Sequence, residues 1–298
     1  MSIEVTMLAD VKRRPRHVAI GTFDGVHLGH QAVIDHADTV LTFDPHPMSV
    51  LRPEAAPPLI STFSVRRDVL DGLGVAELVV IPFDKEFSQL GPNEFIEDVL
   101  IERLGAVKVS VGENFHFGAK AEGSPQLLAD RTEFETRIVP LIEIDGDTVS
   151  SSRIREQIAN GEVAAARRCL GAPFMVEGTV VKGDQRGREL GFPTANIVPD
   201  ERLVTPGHGV YAAFANGAPA AVNVGVRPTF ESELGVLIET YLLDRDEDLY
   251  GKTLRVAFVE KLRDEERFEQ VDELIEQMKR DVEDAREVCA SFTHSGEP

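Results

Sequence analysis

Along the first half of the chain, short apolar runs alternate with stretches in which apolar residues recur every three or four positions. The runs are residues 17–23 (HVAIGTF), 40–43, 77–82 (ELVVIP), 107–111 (VKVSV) and 136–142. Nearly continuous apolar runs of this kind suit strands covered on both faces. Between them, residues 65–73 and 92–104 carry the helical period, with Phe95, Ile96, Val99, Leu100 and Ile101 forming the stripe of the second. This alternation predicts a Rossmann-like α/β domain: a parallel sheet with helices on both faces, and ligands outside the carboxyl ends of its strands.

Beyond residue 150 the rhythm changes. A helix pair is expected over 152–170, interrupted at Asn160-Gly161 and stopped by Gly171-Ala172-Pro173. The domain boundary is placed there, giving modules 1–170 and 171–298. Residues 174–181, 210–215, 220–226, 237–243 and 253–259 then read as strands joined by turns without helices, which predicts a small antiparallel β-barrel. Phe268, Val271, Leu274, Ile275, Met278, Val282, Ala285 and Val288 fall on one helical face, so a long terminal helix packs on the barrel. Residues after Phe292 are expected to be disordered.

Composition narrows the class. With 298 residues, 42% hydrophobic and 28% charged, the chain is large enough for two cores. Cys169 and Cys289 offer neither a metal-ligand spacing nor a disulfide framework. No apolar run approaches the roughly 20 residues of a membrane span, and the amino terminus has no signal-peptide run, so a cytoplasmic protein without a membrane partner is expected. A net charge of −20 argues against a nucleic-acid surface, which needs a basic stripe. Against that acidity two local basic clusters stand out, Arg153 with Arg155 and Lys182 with Arg186 and Arg188, suited to anionic small molecules. Oligomeric state leaves no trace in the sequence.

Two segments carry the chemistry. In residues 21–30 (GTFDGVHLGH) a buried strand breaks into a glycine-flanked loop, with His27 and His30 at a helix start. Ring N–H groups and free helix N–H groups can converge there on a phosphate, and Gly29 permits close approach. Residues 149–155 (VSSSRIR) open a helix with three serines and two arginines; capping explains one serine, and a phosphate clamp explains the rest. Asp44 and His46 in residues 42–47 (TFDPHP), and Asn114 in 112–118 (GENFHFG), follow strands and face the same crevice.

The second segment is residues 190–197 (LGFPTANI). Thr194 and Asn196 present a hydroxyl and an amide oxygen on one side of an extended strand, the hard donors that Mg²⁺ accepts. The preceding loop, 182–191 (KGDQRGRELG), combines glycines with basic residues. A metal that handles phosphates is often served by a carboxylate base. Glu239 lies in an alternating strand (LIETYLLD) with Tyr241 and Leu243 on its own face, where apolar neighbours are expected to raise its basicity.

In order, GTFDGVHLGH, TFDPHP, VGENFHFG and VSSSRIR resemble the adenylyltransferase module of bacterial bifunctional riboflavin kinase/FAD synthetases. LGFPTANI, GVYA (209–212), RPTF (227–230) and Glu239 ahead of DLYG (248–251) resemble the riboflavin kinase module of the same family. The resemblance implies that riboflavin, FMN and ATP are substrates and that Mg²⁺ is required. It gives His27 and His30 the ATP phosphates in the transition state, within a loop shaped by Gly21, Phe23, Asp24 and Gly29. Ser151, Ser152 and Arg155 would hold the β- and γ-phosphates, with His46 and Asn114 near ATP and the FMN phosphate. In the kinase module it gives Thr194 and Asn196 the metal, Glu239 the base, Lys182, Gly183, Arg186 and Gly191 the phosphate loop, and Tyr211 a substrate contact. Between His30 and Thr42 the connection is shorter than the family usually shows, so a stunted helix is expected there. Two other readings stay open: a riboflavin kinase with a weakened or differently specific nucleotidyltransferase module, and a flavin- or nucleotide-binding regulator without turnover.

Overall fold

The structure, a computed structural model, describes residues 2–183, 190–226, 235–245 and 247–295. By packing, the chain forms two compact units, Met1–Pro57 with Phe63–Ser150, and Pro58–Thr62 with Ser151–Pro298.

The first unit is built on six parallel strands: β1 (Glu4–Met7), β2 (Arg16–Ile20), β3 (Thr39–Asp44), β4 (Glu77–Pro82), β5 (Ala106–Gly112) and β6 (Glu135–Val139), in the spatial order β1-β4-β3-β2-β5-β6. Side chains alternate between two cores, as the pleat requires. Val18, Ile20, Leu41, Phe43, Val79, Ile81, Val109 and Val111 share one with Phe95, Ile96, Val99 and Leu100. Ala19, Val40, Leu78 and Val80 share the other with Val33 and Ile34 of α1 (Leu28–Ile34) and with Leu70. The helices α2 (Pro47–Leu51) and α3 (Phe63–Gly72) follow β3. The chain steps from β2 to β3 and β4 on one side, then returns to place β5 on the other flank of β2. The carboxyl ends of β2 and β5 therefore form a topological switch point, where open α/β sheets bind ligands.

Two details depart from the expected pattern. β1 was not expected: an edge strand with Val5 43% and Met7 40% exposed shows no clean apolar alternation. The segment expected as one α-helix starts as α4 (Pro92–Glu94) and continues as a π-helix, Phe95–Leu104. Its buried positions, Phe95 and Ile96, Val99 and Leu100, then Leu104, recur at four- and five-residue steps that suit the wider turn. The short crossover is a seven-residue α1, as expected.

At the amino ends of the strands, Arg16 is 2% exposed and uses its guanidinium fully. Its Nε donates to Glu77 Oε2 at 2.8 Å and its Nη2 to Glu77 Oε1 at 3.1 Å, while Nη1 reaches the Leu104 carbonyl at 2.6 Å. Arg14 Nη2 adds a bond to Glu77 Oε2 at 2.7 Å. Burial alone would raise the Glu77 carboxyl; the Arg16 and Arg14 hydrogen bonds and charges outweigh it and hold the group below its ordinary value.

The second unit opens with α6 (Ser151–Ala159) and α7 (Val163–Leu170), the latter packed against two strands of a closed antiparallel barrel; α5 (Pro125–Ala129) and the hairpin β7 (Glu143–Ile144)–β8 (Asp147–Thr148) complete the first unit. The barrel strands are β9 (Phe174–Val181), β10 (Ala195–Ile197), β11 (Gly209–Ala215), β12 (Ala218–Val226), β13 (Val236–Leu242) and β14 (Thr253–Arg263), closed in the order β10-β13-β12-β11-β14-β9. Closure leaves no unpaired edge. The terminal helix α8 (Val271–Ser295) covers Ala212, Ala221 and Leu243 with Ala285 and Cys289. It runs past Phe292, where disorder was expected, because the Phe292 ring packs 5.8 Å from Phe214 and under the Arg167 guanidinium at 4.9 Å. The segment Pro58–Thr62 belongs to this unit: Leu59 bridges Leu203, and Thr62 Oγ1 donates to Glu177 Oε1 at 2.7 Å.

Arg16→Met leaves the buried Glu77 carboxylate to Arg14 and the Thr39 hydroxyl. The first unit is expected to lose about 3 kcal/mol in urea unfolding followed by hydrogen exchange. Folding lowers the Glu77 pKa from its ordinary 4.5, so the pair's contribution is complete above that pH. It is lost as pH falls through the folded value, and the gap between wild type and variant should shrink there.

Candidate active sites

In the first unit, β2 ends at Ile20 and the chain turns sharply. Phe23 (φ 51°) and Val26 (φ 43°) both lie in the left-handed region, which a β-branched residue rarely enters. Their burial, at 1% exposure each, offsets that strain, and backbone ties hold the loop. The Thr22 carbonyl accepts from Thr42 Oγ1 at 3.1 Å and from Arg66 Nη1 at 2.9 Å; the Val26 carbonyl accepts from Gln31 Nε2 at 2.9 Å. Asp24 is buried in the same loop, and a Cβ on Gly21 would sit 3.1 Å from the Phe23 ring.

The two histidines come together as expected. Their rings stack with centroids 3.6 Å apart and planes 15° from parallel, and Phe23 meets His30 edge-on at 5.4 Å. His27 Nδ1 accepts the His30 backbone N–H at 3.2 Å, capping α1. Neutral His27 therefore carries its proton on Nε2. It also means that one helix N–H expected to face an anion is spent on His27. Gly29 gives the ring room, since a Cβ there would lie 3.1 Å from it.

His46, just past β3, caps α2 in the same way, its Nδ1 accepting from Met48 N at 3.2 Å. Asn114 is exposed in the loop after β5. The loops after β2, β3 and β5 thus meet at one sheet edge. Sequence reading missed Arg66, which looks like a surface residue in RRD yet is 6% exposed on α3. Burial lowers its pKa, opposed by the charges of Asp24 and Asp44. Ser151, Ser152 and Arg155 begin α6 in the second unit, with Arg155 Nε donating to the Pro58 carbonyl at 2.6 Å.

In the barrel, register does the assembling. Asn196 on β10 pairs with Glu239 on β13, and Glu239 pairs with Asn223 on β12. Directly opposed residues point to one face, so the three form a polar row. Asn223 Nδ2 donates to Glu239 Oε2 at 3.3 Å. Asn196 is 4% exposed, and its Oδ1 has no hydrogen-bond partner among the described residues. A Cβ on Gly183 would overlap Asn196 Nδ2, so the exit of β9 lies directly over the amide. Thr194 is half-buried two residues before Asn196. On β13, Ile238, Thr240 and Leu242 fill the barrel, and Leu237, Glu239 and Tyr241 stay half-buried on the outer face. Phe192 meets Tyr241 at 5.4 Å.

Tyr211 goes elsewhere. It is 0% exposed inside the barrel, with its ring edge-on to Phe258 at 5.4 Å and its hydroxyl donating to the Gly207 carbonyl. Burial, then the Asp264 charge, push its hydroxyl above the ordinary tyrosine range. A side chain so enclosed packs the interior of the barrel. Lys182 is exposed, and Gly191 adopts φ 89°. Arg186, with Gly187 and Arg188, and the RPTF run lie outside the described residues.

Fold and geometry together define a two-module nucleotide-handling transferase: an α/β unit with paired histidines at its switch point, and a closed barrel with an amide–carboxylate row. Residues 10–153 match the FAD synthetase family, and residues 170–289 match the riboflavin kinase family. The bifunctional riboflavin kinase/FMN adenylyltransferase of Listeria monocytogenes is 36% identical over 92% of this chain and 93% of its own length. That of Escherichia coli K12 is 35% identical over 91% of each. The chain belongs to the bifunctional riboflavin kinase/FMN adenylyltransferase family and carries both of its domains. A crystal structure titled as a macrolide-efflux protein from Streptococcus pneumoniae shares the fold, with a TM-score of 0.86 and 31% identity over 95% of this chain and 99% of that one. No helix among the described residues is long and apolar enough to cross a membrane.

Gly183→Ala would force its methyl group onto Asn196. We expect riboflavin phosphorylation to fall at least about tenfold, the size of a small misplacement in an active site. FAD formation from supplied FMN should be unchanged, with both read by flavin chromatography.

Proposed function

We propose that the two units divide the synthesis of FAD as follows. In the second unit, Glu239 takes the proton of riboflavin's terminal hydroxyl as that oxygen attacks the γ-phosphorus of ATP, giving FMN and ADP. Thr194 and Asn196 are the residues that would hold Mg²⁺. The Oδ1 of Asn196, a buried hard oxygen with no hydrogen-bond partner among the described residues, fits that role. When bound, the ion neutralises charge on the transferred phosphoryl group. Lys182, Gly183, Arg186 and Gly191 are assigned to the phosphate loop. The observation that carries the kinase reading is the row Asn196–Glu239, a metal-type oxygen and a candidate base set side by side by strand register.

In the first unit, an FMN phosphate oxygen attacks the α-phosphorus of a second ATP and pyrophosphate leaves. This step is served by positioning and charge rather than by covalent help. His27, with its proton on Nε2, and His30 donate to the phosphate oxygens. His46 and Asn114 are assigned to the FMN side. Gly21, Phe23, Asp24 and Gly29 shape the loop. We further propose that the enzyme works in the cytoplasm on small molecules alone, without nucleic-acid or membrane partners. Its acidity supports the absence of nucleic-acid and anionic-membrane partners.

Incubation with Mg²⁺-ATP and riboflavin, followed by chromatography, should yield FAD. FMN alone would leave only the kinase, and unchanged riboflavin would indicate a binder without turnover. His30→Ala is expected to cut FAD formation on the order of 100-fold while FMN accumulates. Glu239→Gln is expected to cut FMN formation by about 10²–10⁴-fold and to leave FAD formation from supplied FMN intact. Undiminished adenylylation in His30→Ala would sink the assignment of the histidine loop.

A further inference from the structure

Asn223 belongs to no motif quoted for either module. It sits in the middle of β12 in the run AAVNVGV, where every neighbour is apolar or glycine. Asparagine is a poor strand residue, so its presence there calls for a compensating interaction. The structure supplies one: Asn223 lies directly opposite Glu239, and its Nδ2 donates to Glu239 Oε2 at 3.3 Å. We propose that Asn223 is a positioning residue for riboflavin phosphorylation, holding the Glu239 carboxylate by one oxygen so that the other faces the substrate hydroxyl. The inference rests on Glu239 being the base.

The chemistry of the amide suits the task. A glutamate on an open barrel face has freely rotating side-chain torsions, and fixing one oxygen selects the productive rotamer before substrate arrives. A lysine or arginine would fix it equally well but would also neutralise the base. A neutral N–H donor orients without doing so. The surroundings show why an acidic residue is unsuitable. On the same face two positions along, a Cβ on Gly225 would overlap Glu265 Oε1 and lie 3.6 Å from Asn223 Nδ2. Asn223 is thus near two carboxylates, Glu239 and Glu265, and an aspartate there would place a third negative group among them.

The test uses the full-length protein and measures kcat and KM for riboflavin and ATP in Asn223→Ala, Asn223→Asp, Asn223→Gln and Glu239→Gln. Adenylylation of supplied FMN and the melting temperature are recorded on the same samples. Support is a kcat for phosphorylation lower by about 10- to 100-fold in Asn223→Ala, with both KM values within about threefold and adenylylation unchanged. Asn223→Asp should be lower still, and Asn223→Gln, which keeps the amide, should recover part of the rate. If Glu239→Gln is inactive while Asn223→Ala and Asn223→Asp keep wild-type kcat, the inference falls and the base assignment stands. If Glu239→Gln phosphorylates normally, the base assignment itself falls and takes the inference with it. Raised KM values at unchanged kcat would make Asn223 a substrate contact and overturn the positioning role. Where Asn223→Ala lowers the melting temperature, Asn223→Gln decides: recovery of kcat supports the role, and an Ala-like kcat in a stable protein overturns it.

Discussion

Arg16 and Glu77 face each other across the amino ends of β2 and β4, two strands that flank β3, and the pair is almost wholly removed from water. Taking both charges out of water is costly, and apolar residues of similar size often stabilise as much. What the pair adds is commitment. Both carboxylate oxygens are engaged, and the remaining guanidinium donors reach the Leu104 and Lys12 carbonyls, so the bonding fits one stagger of the strands. A slip of one residue would turn Val18 and Ile20 out of one core and Ala19 out of the other. Holding the amino ends also settles where β2 and β3 stop, and hence where the histidine and TFDPHP loops emerge.

The two sites solve the same problem differently. In the first unit the chemistry sits on loops after β2, β3 and β5, and loops need buttresses. Positive φ at Phe23 and Val26 costs on the order of 1–3 kcal/mol each. The Thr42 and Arg66 bonds to the Thr22 carbonyl, with the burial of both side chains, keep the turn from relaxing. In the barrel the groups lie on neighbouring strands, and pairing alone aligns Asn196, Glu239 and Asn223. That site asks little of the backbone. It asks instead for space, which Gly183 and Gly225 provide where a side chain would collide with Asn196 or Glu265.

What could be read from the sequence follows from burial. The central strands are covered on both faces, so their apolar runs stand out, and the barrel strands and terminal helix show equally plain periods. β1 did not, because an edge strand with Val5 and Met7 half in solvent carries little pattern. The 92–104 segment looked α-helical, since spacings of four residues belong to either helix, and only the pairing of buried positions reveals the wider turn. The histidine pair, Thr194, Asn196 and Glu239 were legible because each stands in a compact motif. Arg66 and Asn223 were not. Their importance comes from what tertiary packing sets opposite them, a carbonyl 44 residues away and a carboxylate 16 residues away. The burial of Tyr211 was equally illegible, because a motif position does not say on which side of a strand a ring falls.

The short crossover between β2 and β3 shows how the fold absorbs a loss of helix. Seven residues of α1 span about 10 Å, against roughly 16 Å for the five residues of β2. The return path is therefore bridged by polar contacts instead of further turns. His36 takes φ 64°, and its carbonyl accepts from His17 Nδ1 at 2.8 Å. The Asp38 carboxylate receives the His17 backbone N–H at 3.0 Å, and the Asp38 carbonyl receives those of Ala76 at 3.0 Å and Glu77 at 3.1 Å. His17 Nε2 meets Ser110 Oγ at 2.7 Å, with the hydroxyl as donor to the neutral ring. Burial lowers the His17 pKa, which favours that neutral form. Except for Ser110, all of this lies at the amino edge of the sheet. The histidine pair occupies the first turn of α1 at the opposite edge, held by His27 Nδ1, Phe23 and the Thr22 ties, so the shortening falls on the end of the helix that the chemistry does not use.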